Sequence, residues 1–313
     1  MSLLITALAF LGGLFTAWVV GVNNSSVFGP VNAAGSVSVF QGSLIVGLAS
    51  FAGAVTQGGR VADTLGNELV QGLQLDASAA ALILLTASLI ILASTLADIP
   101  MPAAFLLVGG TVGAGLGLGG TLQISTLTRI AGFWLLIPVI GAGIGYLSSR
   151  AIRRFMTKSD GNVKKLRYLL IGLGTYTAYT AGANRAGLPV GPLLNVIDVR
   201  IFHLLVFAGL GMVLGAWTGS PRIIQAVSRD YSRMGPRRAV GALLSAGLIA
   251  QAATLLGVPI SFNQTVIFSV IGSGLVEGGE GVGKRKVLET VSAWFLALAL
   301  SFAVTYGIAR LLL

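Results

Sequence analysis

Ten apolar segments, at about residues 3–20, 36–58, 78–97, 103–122, 130–149, 168–181, 198–220, 239–256, 260–276 and 287–309, take up most of this chain. A helix needs about 20 mostly apolar residues to cross a bilayer, and several of these segments are near that limit or short of it. The short ones are expected to be half-helices or arms of re-entrant hairpins. With 55% hydrophobic and only 10% charged residues, the chain is too apolar for a soluble globule, so the expectation is an all-α integral membrane protein. Its 44 glycines fit that reading, because small residues let transmembrane helices approach closely. The first segment lacks a positive leader and a small-residue cleavage site, so it is expected to be mature structure.

The net charge of +10 could suggest nucleic acid, but its placement argues against that partner. Arg150, Arg153, Arg154, Lys158, Lys164, Lys165 and Arg167 form one cluster; Arg222, Arg229, Arg233, Arg237 and Arg238 a second; Lys284, Arg285 and Lys286 a third. Basic residues concentrated between apolar segments mark cytoplasmic connections. Attraction to anionic lipid is a secondary consequence. The absence of Cys removes disulfides and thiolate metal sites, and a single His, His203, is too few for a histidine metal centre.

The two halves match at separated points. Gly21-x-Asn23 recurs as Gly182-x-Asn184, and Gly29-Pro30 as Gly191-Pro192. Gly53-Ala54-x-Thr56-x-x-x-Arg60 recurs as Gly215-Ala216-x-Thr218-x-x-x-Arg222, and Trp134…Tyr146…Arg150 as Trp294…Tyr306…Arg310. Pro100 recurs as Pro259 between two apolar arms, and the offset stays between 159 and 162 residues throughout. This register predicts a first membrane repeat over 1–155, a basic cytoplasmic linker over 156–164 and a second repeat over 165–313. If the linker and the 221–238 connection share a side, each half has an odd number of crossings and the repeats are inverted. Both termini are then external, on the side of the acidic 59–77 segment with Asp63, Glu68 and Asp76. Inverted repeats with broken helices and hairpin segments are a transporter signature, with the substrate held where the halves meet near the membrane midplane.

Two runs of helix-breaking residues stand out: Gly182-Ala183-Asn184-Arg185-Ala186-Gly187-Leu188-Pro189-Val190-Gly191-Pro192 and its first-half relative from Gly21 to Pro30. Irregular backbone at membrane depth is tolerated only where protein buries it or where it lines a cavity. An ionisable residue there, Arg185, is a functional-site candidate.

These residues resemble the inorganic phosphate transporter family, including its sulfate-permease-like members. The family's repeated signature is Gly-Ala-Asn-Asp-Val-Ala-Asn-Ala-x-Gly-Pro, followed in each half by Pro-Val-Ser-Thr-Thr-His. Gly182-Ala183-Asn184 and Gly191-Pro192 sit at that spacing; Gly257 to Gln264 resembles the second element, and Ala293-Trp294 a further pair. The resemblance implies transport of a tetrahedral oxyanion by alternating access. The departures bear on mechanism. Asn24 and Arg185 stand where the family carries aspartates, which the resemblance assigns to sodium binding. The first half has one residue fewer between Gly21 and Gly29, and its tip, Pro100-Met101-Pro102-Ala103-Ala104-Phe105, has lost the hydroxyls.

An oxyanion stripped of water needs donors: helix N-terminal amides, hydroxyls, carboxamides and a cation. Candidates are Asn23, Asn24, Ser25 and Ser26 at the first run, Asn184 and Arg185 at the second, and Ser261, Asn263, Gln264 and Thr265 at the second hairpin tip. The planar guanidinium of Arg185 stays charged and can bind two oxygens. It is expected to supply the positive charge that a sodium–aspartate pair organises in relatives, making sodium dependence weak. Phosphate near neutral pH carries protons that a carboxylate can accept, whereas sulfate carries none; the family resemblance favours the first and the missing aspartates the second. No cofactor or metal is expected, and the coupling ion, sodium or proton, stays open.

Plainer readings stand beside these. Arg185 could snorkel or pair with Asp98 or Asp198. Thr56 and Thr218 suit helix packing better than ligation, and Trp134, Trp294, Tyr146 and Tyr306 suit packing or interface anchoring. The Gly113–Gly119 run lacks the strand–helix context of a nucleotide loop. The alternative function is an oxyanion-selective channel with a basic constriction; a membrane enzyme is disfavoured because no nucleophile–base pair or convergent carboxylates occur. The expected partners are the oxyanion and the lipid bilayer of the cell membrane, with a homodimer open.

Overall fold

The computed structural model describes residues 3–33, 35–96, 102–155, 160–230, 235–276 and 284–312. The chain is a helical membrane protein. Its helices are α1 (Leu3–Asn24), α2 (Gly29–Ala33), α3 (Val39–Gln57), α4 (Gly59–Asp63), α5 (Ala77–Leu96), α6 (Ala103–Gly117) and α7 (Ile124–Phe155), then α8 (Asp160–Arg185), α9 (Gly187–Val190), α10 (Ile201–Asp230), α11 (Pro236–Leu255), α12 (Phe262–Leu275) and α13 (Lys284–Leu312). Seven helices among the described residues are long and apolar enough to span a membrane, while α6 and α12, at 15 and 14 residues, are shorter arms. The only strands there, β1 (Val70–Gln71) and β2 (Thr121–Leu122), pair antiparallel, and Arg129 bridges Glu68 beside them at 2.6 Å. Expectations resting on Asp98, Pro100, Met101, Lys158 and Arg233 lie outside the described residues.

Two features differ from the sequence reading. Helices α7, α8 and α10 continue past their apolar stretches, so Arg150, Lys164, Lys165 and Arg222 are on helical backbone rather than in loops. The helix-breaking runs are also not irregular. A short 3₁₀ turn, Ser25–Phe28, joins α1 to α2, and backbone angles stay right-handed helical at Asn24, Gly29, Ala186 and Gly191. Pro30 and Pro192 fall in the first turn of a new helical piece, where a missing N–H costs no intrahelical bond. The interruptions therefore re-register the helix without unwinding it.

The core is made by close crossings between the first and second halves. Helix α1 packs on α10 and α8 on α3. A Cβ on Gly21 would sit 2.1 Å from the Met212 carbonyl oxygen, and one on Gly182 would sit 2.2 Å from that of Ser50. Gly53 abuts the Tyr179 carbonyl and Gly215 the Trp18 carbonyl, each at 1.9 Å from the Cβ position. Each crossing also carries a side-chain clasp: Trp18 Nε1 donates to Thr218 Oγ1 at 2.8 Å, and Thr56 and Tyr179 share a hydroxyl hydrogen bond at 2.7 Å. Thr56 and Thr218 are packing residues, as their pattern suggested.

The hairpin arms exchange partners too, α6 packing against α13 and α12 against α7. Trp134 on α7 stacks on Phe105 with ring centroids 3.7 Å apart and donates to the Pro259 carbonyl at 2.9 Å. Gly257 makes the tip of the second hairpin possible: its φ of 68° ends α11 in the left-handed region that favours glycine.

Candidate functional site

Arg185 is the largest fully buried side chain described, 1% exposed, at the end of α8. Its Nη1 donates to Asn24 Oδ1 at 2.8 Å, and its guanidinium carbon lies 5.5 Å from the centroid of the Phe262 ring, in the first turn of α12. Nε has no hydrogen-bond partner. The one ion pair formed among the described residues, Arg129–Glu68, is elsewhere, so no described carboxylate neutralises Arg185. Asp198, the described candidate partner, is exposed. Snorkelling is equally ruled out by the burial.

Asn24 is held in turn. Its Nδ2 donates to Ser50 Oγ at 3.2 Å and lies 4.0 Å from Met212 Sδ, and Ser50 Oγ donates to the Ala178 carbonyl at 3.2 Å. The two positions that depart from the family signature are therefore bonded to each other, one as the acceptor of the other's cation. Ser26 Oγ, nearby in the 3₁₀ turn, is buried without a partner, whereas Ser25 is committed to Ser220 and to the Gly21 carbonyl.

The remaining candidates divide. Asn184 faces the hairpin rather than Arg185: Nδ2 donates to Thr254 Oγ1 and the Val258 carbonyl, and Oδ1 accepts from Ile260 N–H at 3.1 Å. It ties α8 to the hairpin tip. Ser261 caps α12 by accepting from Gln264 N–H at 3.3 Å, and Thr265 Oγ1 donates back to the Ser261 carbonyl. Gln264 Nε2 donates to the Trp134 carbonyl at 2.9 Å, leaving its buried Oε1 unpartnered. Asn23 and Asn263 are half-buried. Sequence reasoning missed Ser50, Met212, Ser220 and Phe262. The repeat register held a signal for two of them, since Ser50 and Met212 are 162 residues apart and flank the same asparagine.

The model of a family described as the phosphate transporter family matches residues 20–170 and 157–305. The chain belongs to the phosphate transporter family. Within it, a Bacillus subtilis protein named sulfate permease CysP is 27% identical over 97% of this chain and 87% of its own length. A Pyrococcus horikoshii protein provisionally named a phosphate permease is 24% identical over 96% of both chains. Among solved structures, one titled the sodium-dependent phosphate transporter superposes with a TM-score of 0.85 at 21% identity, covering 99% of this chain and all of that one, which establishes the shared fold. The family is one of transporters, so the enzyme reading falls away. Phosphate transporter family membership thus gives this chain oxyanion transport across a membrane as its general activity.

Proposed function

We propose that the chain carries a divalent tetrahedral oxyanion, sulfate in preference to phosphate, by alternating access between two inverted halves, with Arg185 as the fixed charge of the site. The observation that carries this reading is the buried guanidinium with an open Nε and no described carboxylate beside it. Taking one ion out of water costs on the order of several kcal/mol, which an anion bound against the fork would offset. Asn24 orients that fork, Ser26 has a free buried hydroxyl, and the Ser261-capped start of α12 adds helix N–H dipoles. Sulfate needs donors and no proton acceptor, and these groups are mainly donors. The name of the Bacillus relative agrees with this choice. Paired contacts at Gly21 and Gly182, Gly53 and Gly215, and Trp18 and Tyr179 support the two-repeat arrangement.

Uptake of labelled sulfate and phosphate into proteoliposomes tests this. Saturable counterflow of sulfate, outcompeting phosphate and unchanged when potassium replaces sodium, is the expected result. Anion flux without counterflow would make the protein a channel, and loss of flux on removing sodium would overturn the fixed-charge reading.

A further inference from the structure

The N-cap of α12, Ser261, and Thr265, Ser269 and Ser273 within the helix are four hydroxyls spaced by four residues, all fully buried. That spacing puts them on one face. At one end of the helix Phe262 lies under Arg185, and at the other the Arg238 side chain lies against Gly274, its Nη2 2.6 Å from where a Cβ would be. The stretch from Phe262 to Gly274 rises about 18 Å at helical pitch. Between those ends Ser269 Oγ donates to Ser245 Oγ of α11 at 2.9 Å, and Ser245 Oγ to the Gly141 carbonyl of α7 at 3.0 Å, so the hydroxyl face lies in the α7–α11–α12 seam. Ser149, on the same side of α7, has a fully buried Oγ without a partner beside Gly241 of α11.

Helix α6 makes the comparable crossing with α13: Gly113 meets the Phe302 carbonyl as Gly272 meets that of Ala142. The α6 residues at the matching positions are Pro102, Leu106, Gly110 and Ala114, with no hydroxyl among them. The hydroxyls of that crossing come from α13, where Ser301 Oγ donates to the Leu106 carbonyl and Thr305 lies against Gly113. Packing therefore does not require a row of them along the short arm, and back-bonding serines and threonines inside a helix are neutral to unfavourable for it.

We infer that the hydroxyl face of α12 is the route by which the oxyanion passes between Arg185 and the face bearing Arg237 and Arg238, with Arg238 as the cation at its mouth. The inference rests on the oxyanion reading of the Arg185 site. The route is shut in this structure, since all four hydroxyls are buried; separating α12 from α7 and α11 exposes them as a line of donors that rotate from helix carbonyls to the passing anion.

The chain has no cysteine, so single cysteines report access directly. Thr265→Cys, Ser269→Cys and Ser273→Cys, each first shown to give the monodisperse detergent peak and the Tm of the unmodified protein, are reconstituted and treated with an impermeant anionic methanethiosulfonate. Ser88→Cys and Ser301→Cys, equally buried hydroxyl positions outside the seam, are the controls. The α12 cysteines should react about tenfold faster than the controls, and sulfate should slow the reaction. Arg238→Gln should leave sulfate affinity within about twofold while lowering counterflow about tenfold, and Arg238→Lys should restore much of it. Folded, reconstituted α12 cysteines that react no faster than controls overturn the route while leaving the Arg185 site intact. Absence of sulfate counterflow in the unmodified protein overturns the site reading itself.

Discussion

Arg185 and Asn24 form a pair whose chemistry depends on one of them being neutral. A carboxylate in place of the Asn24 amide would sit at 2.8 Å from Nη1 and neutralise the guanidinium internally. Asn24→Asp should therefore cut sulfate uptake by more than about tenfold while leaving thermal stability in detergent unchanged or higher, because a buried cation gains a partner. Arg185→Met should abolish uptake and also remove ligand stabilisation. Sulfate at about 100 times its Kd stabilises a binding protein by about 2.7 kcal/mol, readable as a shift in Tm that the variant should lack. Asn184, although adjacent in sequence, has a different job. Its carboxamide makes three hydrogen bonds that hold 254–260, so Asn184→Ala should lower stability by about 2–4 kcal/mol, measured by thermal unfolding, with or without sulfate.

At the scale of elements, the crossings of α1 with α10 and α3 with α8 depend on backbone approach, which glycine alone permits. Gly53→Ala and Gly215→Ala each set a methyl 1.9 Å from a carbonyl oxygen that belongs to another helix backbone and cannot rotate away. Each should prevent assembly of the folded protein, seen as loss of a monodisperse peak after detergent extraction. The clasps are milder: Thr56→Val and Thr218→Val each remove one interhelical hydrogen bond, together with a back-bond to the Ala52 or Leu214 carbonyl of their own helix, and should cost about 1 kcal/mol, in similar amounts because the two sites are alike. The short arms α6 and α12 were legible as short apolar segments, and Ser261 as the polar start of the second. What each arm packs against was not, because α6 pairs with α13 and α12 with α7 across the whole length of the chain.

At the scale of the whole molecule, the charge pattern predicts that Lys164 and Gln71 face opposite sides of the membrane. Lys164→Cys and Gln71→Cys, both at exposed positions, should be labelled by an impermeant thiol reagent from opposite faces of right-side-out vesicles, with Gln71→Cys outside. Labelling of both from one face would remove the inverted arrangement. By itself the amino-acid sequence determined the membrane class, the family and the positions of the helix interruptions, because hydropathy, proline and glycine act locally and leave a local trace. Tertiary structure decided which polar residues meet. Asn24 and Arg185 are 161 residues apart and bond only because glycines on α3 and α10 draw four helices together around them, while Asn184 beside Arg185 turns to the hairpin. Side-chain direction on a helix changes by about 100° per residue, so two neighbours in a motif can serve separate sites, and only the packed molecule shows which faces inward to the cation.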